Sequence, residues 1–272
     1  MKINETSRRN FIKNLASLSA GVSLGTTNLW GIPKYLPNKS LLKKTINGVQ
    51  LGLITYSFRA LKDQSAEATL QYILDCGVNS IELMGETAES FIGRPKNKIN
   101  KRKYYSLSRK KRNNSLSKDE EKELGELKKQ QDSYDKEVLT WKKTRSISRF
   151  SDLRKMYNSA GVEIYAFKPN YLLRKGNSDA DINYAMQAGK LLGASHVTLE
   201  LPEDSNHSLK LGKLAKRNGI KIAYHGHEQQ HAKWWDTALE QSSHNAMNLD
   251  LGHYIAAGNT DAIELIEKQH PN

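Results

Sequence analysis

Several short segments of this 272-residue sequence end in side chains able to bind a cation or move a proton. The densest is Tyr224-His225-Gly226-His227-Glu228. Residues at i and i+2 of an extended chain point the same way, so His225 and His227 can face one direction. Imidazoles placed there are open to metal ligation, to hydrogen bonding with sugar hydroxyls and to proton transfer. A histidine pair on a loop that caps the next helix is the plainer reading. Glu200 closes the apolar run His196-Val197-Thr198-Leu199-Glu200-Leu201-Pro202. A carboxylate is costly to bury there unless it meets a cation or a partner. Asp250 holds the same place after Ala246-Met247-Asn248-Leu249, and His253 follows three residues on. Oxygen ligands mixed with imidazole suit Mn, Mg, Co or Zn, which makes Glu200 and Asp250 the expected metal ligands. Singly, each carboxylate reads as readily as a helix cap or an ion-pair partner. Lys168, between Phe167 and Pro169, could neutralise a carboxylate or an enediolate oxygen, or be a surface lysine.

A repeat positions these residues. Four times a helix-like stretch ends in Gly and a β-rich run starts at once, at Gly77, Gly161, Gly193 and Gly219. The intervals are 84, 32 and 26 residues, and the first becomes 28 once the 56 residues 94–149 are set aside. A period near thirty is a βα unit: glycine supplies a left-handed helix cap, and the apolar runs suit strands buried on both faces of a parallel sheet. Val49–Tyr56 and Ala246–Asp250 add a first and a sixth strand, and helices are expected near 64–76, 150–159, 178–192, 206–218, 233–242 and 260–269. Strands alternating with helices, without hairpin signals, give an α/β fold.

The polar residues choose between the two α/β architectures. Tyr56 and Arg59, Glu82 and Glu86, Lys168, Glu200, His225 with His227 and Glu228, and Asp250 with His253 fall at the ends of nearly every strand. A (β/α)8 barrel builds its site from many strand ends, whereas a doubly wound sheet concentrates it at one switch point. No dinucleotide or P-loop glycine motif follows the first strand. The expected fold is a TIM-type barrel over residues 48–272, with only six βα units and a charged helical insertion after strand 2. Two open sheet edges would then want a covering chain, such as a second copy in a homo-oligomer.

Charge misleads until it is located. With 38% hydrophobic and 26% charged residues the chain is globular, and a mean hydropathy of -0.68 with no long apolar run excludes a polytopic membrane protein. One cysteine, Cys76, excludes an intramolecular disulfide and a thiolate zinc cluster; it is expected as a small buried hydrophobe. The net charge of +13 suggests nucleic acid, yet residues 1–44 carry +7, residues 94–149 carry +11, and the remainder is at -5.

Residues 1–30, with Ser7-Arg8-Arg9-Asn10-Phe11-Ile12-Lys13 before a weakly apolar stretch, resemble a twin-arginine signal. Residues 31–47 read as a linker. The expectation is export to the periplasm, with no membrane contact beyond a signal anchor. The insertion opens with a Lys/Arg-rich run and then turns helical after a capping box at Ser117 and Glu120, with Leu124, Leu127, Gln131, Tyr134, Val138 and Trp141 as one narrow apolar stripe. Tyr104 and Tyr105 could stack on bases, but no base-reading motif accompanies them, so a solvated insertion is expected and no nucleic-acid partner. Trp234 and Trp235, beside the histidine segment, would pack in the core or wall a sugar ring.

The segments Ile81–Glu86, Ile164–Pro169, Gly193–Pro202, Tyr224–His227 and Asn248–His253 with Ala257-Gly258-Asn259 together resemble the xylose isomerase-like TIM-barrel superfamily, most closely exported proteins of the sugar phosphate isomerase/epimerase type. The resemblance covers residues 48–272 outside the insertion. It implies a divalent metal held by Glu200 and Asp250, with two further ligands on strands that have no counterpart here. It also implies that His225, His227 and His253 contact substrate oxygens, with Lys168 and Glu82 completing the substrate set, and that Glu200 serves as an acid/base. The implied activity is isomerisation or epimerisation of a sugar or ketosugar, or a related lyase reaction, by proton transfer beside a carbonyl. The alternatives are a non-catalytic carbohydrate-binding barrel, an inactive fragment, and a phosphodiesterase of the abasic-endonuclease type.

Overall fold

The structure is a computed structural model that describes residues 45, 46 and 48–270. The twin-arginine segment and nearly all of the expected linker lie outside those residues. Strands β1 (Thr45–Ile46) and β2 (Val49–Gln50) form a small antiparallel hairpin of their own. The six-stranded sheet runs β3 (Leu53–Ile54), β4 (Ser80–Met84), β5 (Glu163–Lys168), β6 (His196–Glu200), β7 (Lys221–His225) and β8 (Asn245–Asn248). Its neighbours are β3-β4-β5-β6-β7-β8 in chain order, and every pairing is parallel. A doubly wound sheet reverses direction partway across; this one never does, which is the winding of a (β/α) barrel. Among the described residues β3 and β8 are the two edges.

The first strand is shorter than its sequence suggests. Only Leu53 and Ile54 pair with β4, while Val49 and Gln50 are exposed in the hairpin and Thr55–Phe58 turns into a 3-10 helix. The Val49–Tyr56 run is apolar enough for one strand, but Gly52 packs against the Ser80 carbonyl with no room for a Cβ, and the chain bends there.

The helices follow α1 (Ala66–Asp75), α2 (Gly85–Phe91), α3 (Lys101–Arg112), α4 (Lys118–Thr144), α5 (Arg149–Ser159), α6 (Asp179–Leu192), α7 (Ser205–Asn218), α8 (Asp236–Gln241), α9 (Leu251–Ala256) and α10 (Ala262–Gln269). Their starts are chemically marked: the side chains of Ser65, Ser178 and Asp204 each accept a hydrogen bond from a first-turn backbone N–H. Their ends are marked too. Gly77, Gly161, Gly193 and Gly219 all have φ between +64° and +84°, the left-handed region expected of the repeat. The core lies between sheet and helices, where Ile81, Leu83, Phe167, Val197, Ile222 and Tyr224 meet Leu70, Phe150, Leu153, Ile182 and Leu211.

In the insertion the capping box is complete, with Ser117 accepting from the Glu120 N–H and Glu120 from the Ser117 N–H. The Lys/Arg-rich run is not an extended lead-in but a helix of its own, α3, paired with α4. Ile99, Leu107, Leu124 and Leu127 bury one another there, joined by Tyr104 and Tyr134. Trp141, at the other end of the stripe, belongs to the main core instead. Cys76 is exposed rather than buried, because it sits at the solvent end of α1 just past the last buried turn.

Candidate functional site

Strand register brings the chemistry together. Glu200 and His225 are partners in the β6–β7 ladder, each the last residue of its strand. Lys168 is the last residue of β5, and its Nζ donates to Glu200 Oε1 at 2.9 Å. The other oxygen, Oε2, is buried without a hydrogen-bond partner among the described residues, 3.5 Å from His227 Nδ1 and 3.9 Å from His225 Nε2. One strand end therefore carries a carboxylate held on one side by a lysine and aimed on the other at two imidazoles.

The β7–α8 connection shapes the histidine pair. Gly226 is buried, and a Cβ there would lie 2.4 Å from the Trp234 ring and 2.6 Å from Gln230 Cγ, so no side chain fits between the histidines. Gln230 locks the turn by donating to the Gly226 carbonyl at 2.8 Å. The His225 and His227 rings meet edge to face with centroids 4.9 Å apart. Trp235 is fully buried and donates its indole N–H to the Tyr224 carbonyl at 2.8 Å, so it anchors β7 from behind; Trp234 is partly buried against Gly226. Burial holds the His225 imidazole below its ordinary pKa, against the pull of Glu200.

The third imidazole arrives from the next unit. Asp250 caps α9, its Oδ1 accepting from the His253 N–H at 2.9 Å, and Oδ2 lies 4.0 Å from His253 Nε2. The His253 ring then stands 4.6 Å from His227 and 6.1 Å from His225, centroid to centroid. Its Nδ1 bonds Glu228 Oε1 at 2.9 Å. Ligand nitrogens of His225, His227 and His253 all lie within 4.8 Å of one another.

Glu82 sits deeper. It is 7% exposed and accepts from the Thr198 hydroxyl, across the intervening strand β5. Burial pushes its carboxyl above the usual carboxylate range, and the Thr198 bond and Lys168 only partly offset this. Glu86, on the first turn of α2, is exposed and 3.8 Å from Lys101. Tyr56 is also exposed, under the Arg59 guanidinium at 4.4 Å.

Lys168, Glu200, His225, His227, His253 and Asp250 thus form one group, while Glu82 lies below it inside the sheet. The tight donor set is three imidazoles with Glu200 beside them. Asp250 acts first as a helix cap and Glu200 as an ion-pair partner, the two plain roles that carboxylates commonly take. Glu228, which the sequence groups with the histidine pair, reaches His253. Thr198 was not singled out by sequence, because only the sheet brings it to Glu82.

This is an α/β protein of (β/α)-barrel winding with its polar group at the carboxyl ends of the strands. No protein-family model matches the sequence, and no curated protein does. Among solved structures the chain is similar to a sugar phosphate isomerase/epimerase from Parabacteroides distasonis, at 16% identity and a TM-score of 0.46 over 80% of this chain and 71% of that one. It is also similar to a xylose isomerase domain protein from Planctomyces limnophilus, at 13% identity and a TM-score of 0.47 over 81% and 70%.

Proposed function

We propose that the chain is a divalent-metal-dependent isomerase or epimerase, or a related lyase, of sugars or ketosugars. The observation that carries this reading is the convergence of Lys168, Glu200, His225, His227 and His253 at neighbouring strand ends, with Glu200 Oε2 buried and unpaired against two imidazoles. These residues fit a divalent cation. Three imidazoles and a carboxylate are a nitrogen-rich donor set that suits Zn or Co better than Mg. The Glu228 carboxylate on His253 Nδ1 is the outer-shell contact that fixes a ligating imidazole with Nε2 free. His225, His227 and His253 would hold the ion, with Glu200 and Asp250 as the carboxylates beside it. When bound, the ion supplies Lewis-acid polarisation of a sugar carbonyl.

The chain's own residues do the rest. Glu200 takes the proton from the carbon next to the carbonyl, the electron pair moves onto the carbonyl oxygen, and the proton returns to the neighbouring carbon or to the opposite face. Lys168, through its bond to Oε1, holds Glu200 oriented for that transfer. The buried Glu82–Thr198 pair keeps the floor of the site rigid.

Free or oxidised saccharides, rather than phosphorylated ones, suit the export expected from the twin-arginine segment. The test is solvent deuterium incorporation into a panel of aldoses, ketoses and ketosugars. The full chain loaded with Zn or Co should label the carbon beside the carbonyl, and Glu200→Gln should cut that rate about 10²–10⁴-fold with the fold intact. Labelling that persists in Glu200→Gln, or in metal-stripped protein, would sink the reading.

A further inference from the structure

A cavity of about 940 Å³ lies between the barrel and the insertion. It is built at the same end of the sheet as the candidate site. One wall is the segment after β3, around Lys62–Ser65; another is α2, which follows β4 without a turn; and Tyr171 enters three residues past Lys168. The insertion closes the far side through Tyr104, Tyr105 and Tyr134. With Tyr72, five tyrosines line one space. That is a large share of the chain's 12 tyrosines to find around one space outside the main core.

Its chemistry is specific. Tyr105 and Tyr171 are 65% and 52% exposed, an unusual place for large rings unless something covers them. Tyr104 and Tyr105 meet edge to face at 5.6 Å, which leaves ring faces available. Amides interleave the rings: Gln64, Asn97 and Gln131 all line the cavity. Its cations are largely matched by acids, with Lys101 near Glu86 and with Asp63 and Asp135 also on the wall. Flat aromatic faces with planar hydrogen-bonding groups and little net charge suit a ligand with apolar ring faces and many hydroxyls. A nucleic acid or a phosphorylated ligand would want unmatched cations instead. The size is in the range that encloses a ligand of several rings. Asn170 is held at φ 52°, a conformation few residues adopt, and it fixes the direction in which Tyr171 leaves the strand end.

We infer that this cleft is a saccharide subsite, in which the tyrosines of the insertion and Tyr171 hold the second and further sugar units of a neutral oligosaccharide or glycoside whose reacting unit lies at Glu200. The inference rests on the proposed sugar chemistry for its choice of reacting unit, but the cleft can be tested without turnover. Calorimetric titration of the full chain with neutral gluco-, xylo-, manno- and galacto-oligosaccharides of one to four units should show affinity rising with length for at least one series. Tyr105→Ala and Tyr171→Ala should each weaken the tetrasaccharide about tenfold and leave the monosaccharide unchanged. Both residues are exposed, so the variants keep the fold, and Glu200→Gln should leave this length dependence in place. Affinity that does not rise with length in any series, or tetrasaccharide binding untouched by both tyrosine substitutions, would overturn the subsite. Length-dependent, tyrosine-dependent binding without deuterium labelling would uphold it and count against the proposed reaction alone.

Discussion

The barrel and the insertion are made from the same chain by opposite means. The barrel buries a continuous core between its parallel sheet and its helices and carries a net negative remainder once leader and insertion are removed. The insertion carries +11, buries only Ile99, Leu107, Leu124 and Leu127 as a core of its own, and borrows the rest of its stability from the barrel. That borrowing is local. Trp141 packs into the main core and donates to the Ile92 carbonyl, Lys142 pairs with Asp181 at 3.1 Å, and the Arg145 guanidinium lies 3.3 Å from the centre of the Tyr184 ring. Charge and chemistry therefore sit in different places: among the described residues the basic insertion holds no cluster of metal-ligating side chains, and the acidic barrel holds the group of three imidazoles.

The comparison can be broken from the barrel side first. Trp235→Ala removes a fully buried ring that braces the histidine strand, and it should cost about 3–5 kcal/mol in denaturant unfolding, with a single transition for the whole barrel. A cost below about 1 kcal/mol would mean the core is not continuous behind β7.

A pH effect comes next. His196 stands at the opposite end of β6 from Glu200, hydrogen-bonded to Ser195 Oγ, and burial, helped by Lys221, lowers its pKa from 6.5 to about 4. Its folded value lies below its unfolded one, so the unfolded state binds the extra proton as pH falls. Stability from this group is full above about pH 6.5 and lost between there and about pH 4, up to about 3 kcal/mol. Urea unfolding of wild type and His196→Gln at pH 7 and 4.5 checks this: the variant should show the smaller drop, and equal drops would refute it.

Leu124→Ala should be felt mainly inside the insertion. Hydrogen exchange of α3 and the first half of α4 should accelerate, while barrel unfolding shifts by less than about 1 kcal/mol, because these leucines share no neighbours with the main core. Equal loss of protection in both regions would show that the two cores are one. The smallest effect is expected for Cys76→Ser, within about 0.5 kcal/mol, since the thiol is solvent-exposed.

Much of the barrel was legible in the sequence for a physical reason. Glycines at helix ends must be left-handed, and apolar runs after them must be buried, so α5, α6 and α7 begin within a residue of expectation and β4 to β8 lie where expected. The elements that escaped are those set by contact rather than pattern. Helix α3 has only Leu107 fully buried, so its sequence reads as a charged run; the partner that makes it helical is α4. The hairpin of β1 and β2 splits an apolar stretch that reads as one strand, and Cys76 misled because small apolar character does not say which side of a helix end it occupies. In the candidate site, the i and i+2 spacing placed His225 beside His227, and the Asp-x-x-His spacing placed His253 beside Asp250. Their convergence was not legible, since it depends on the Gly226 turn, the Gln230 lock and the Asp250 cap acting together.

The attachment of the insertion has a mechanical side. Its two ends are fastened close together, Arg94 to Glu89 at the start and Trp141 to Arg145 at the finish, and the turn between α3 and α4 lies a whole helix away. Helix α4 has 27 residues and is about 40 Å long, so a tilt of one degree at the fastened end moves the tip by about 0.7 Å. The hairpin is a cantilever, and its tyrosines sit nearer its root than its tip, Tyr104 and Tyr105 close to the start of α3 and Tyr134 two turns before Trp141. The lever's travel is therefore spent at the tip, while the wall of the neighbouring space stays close to the fulcrum at Trp141.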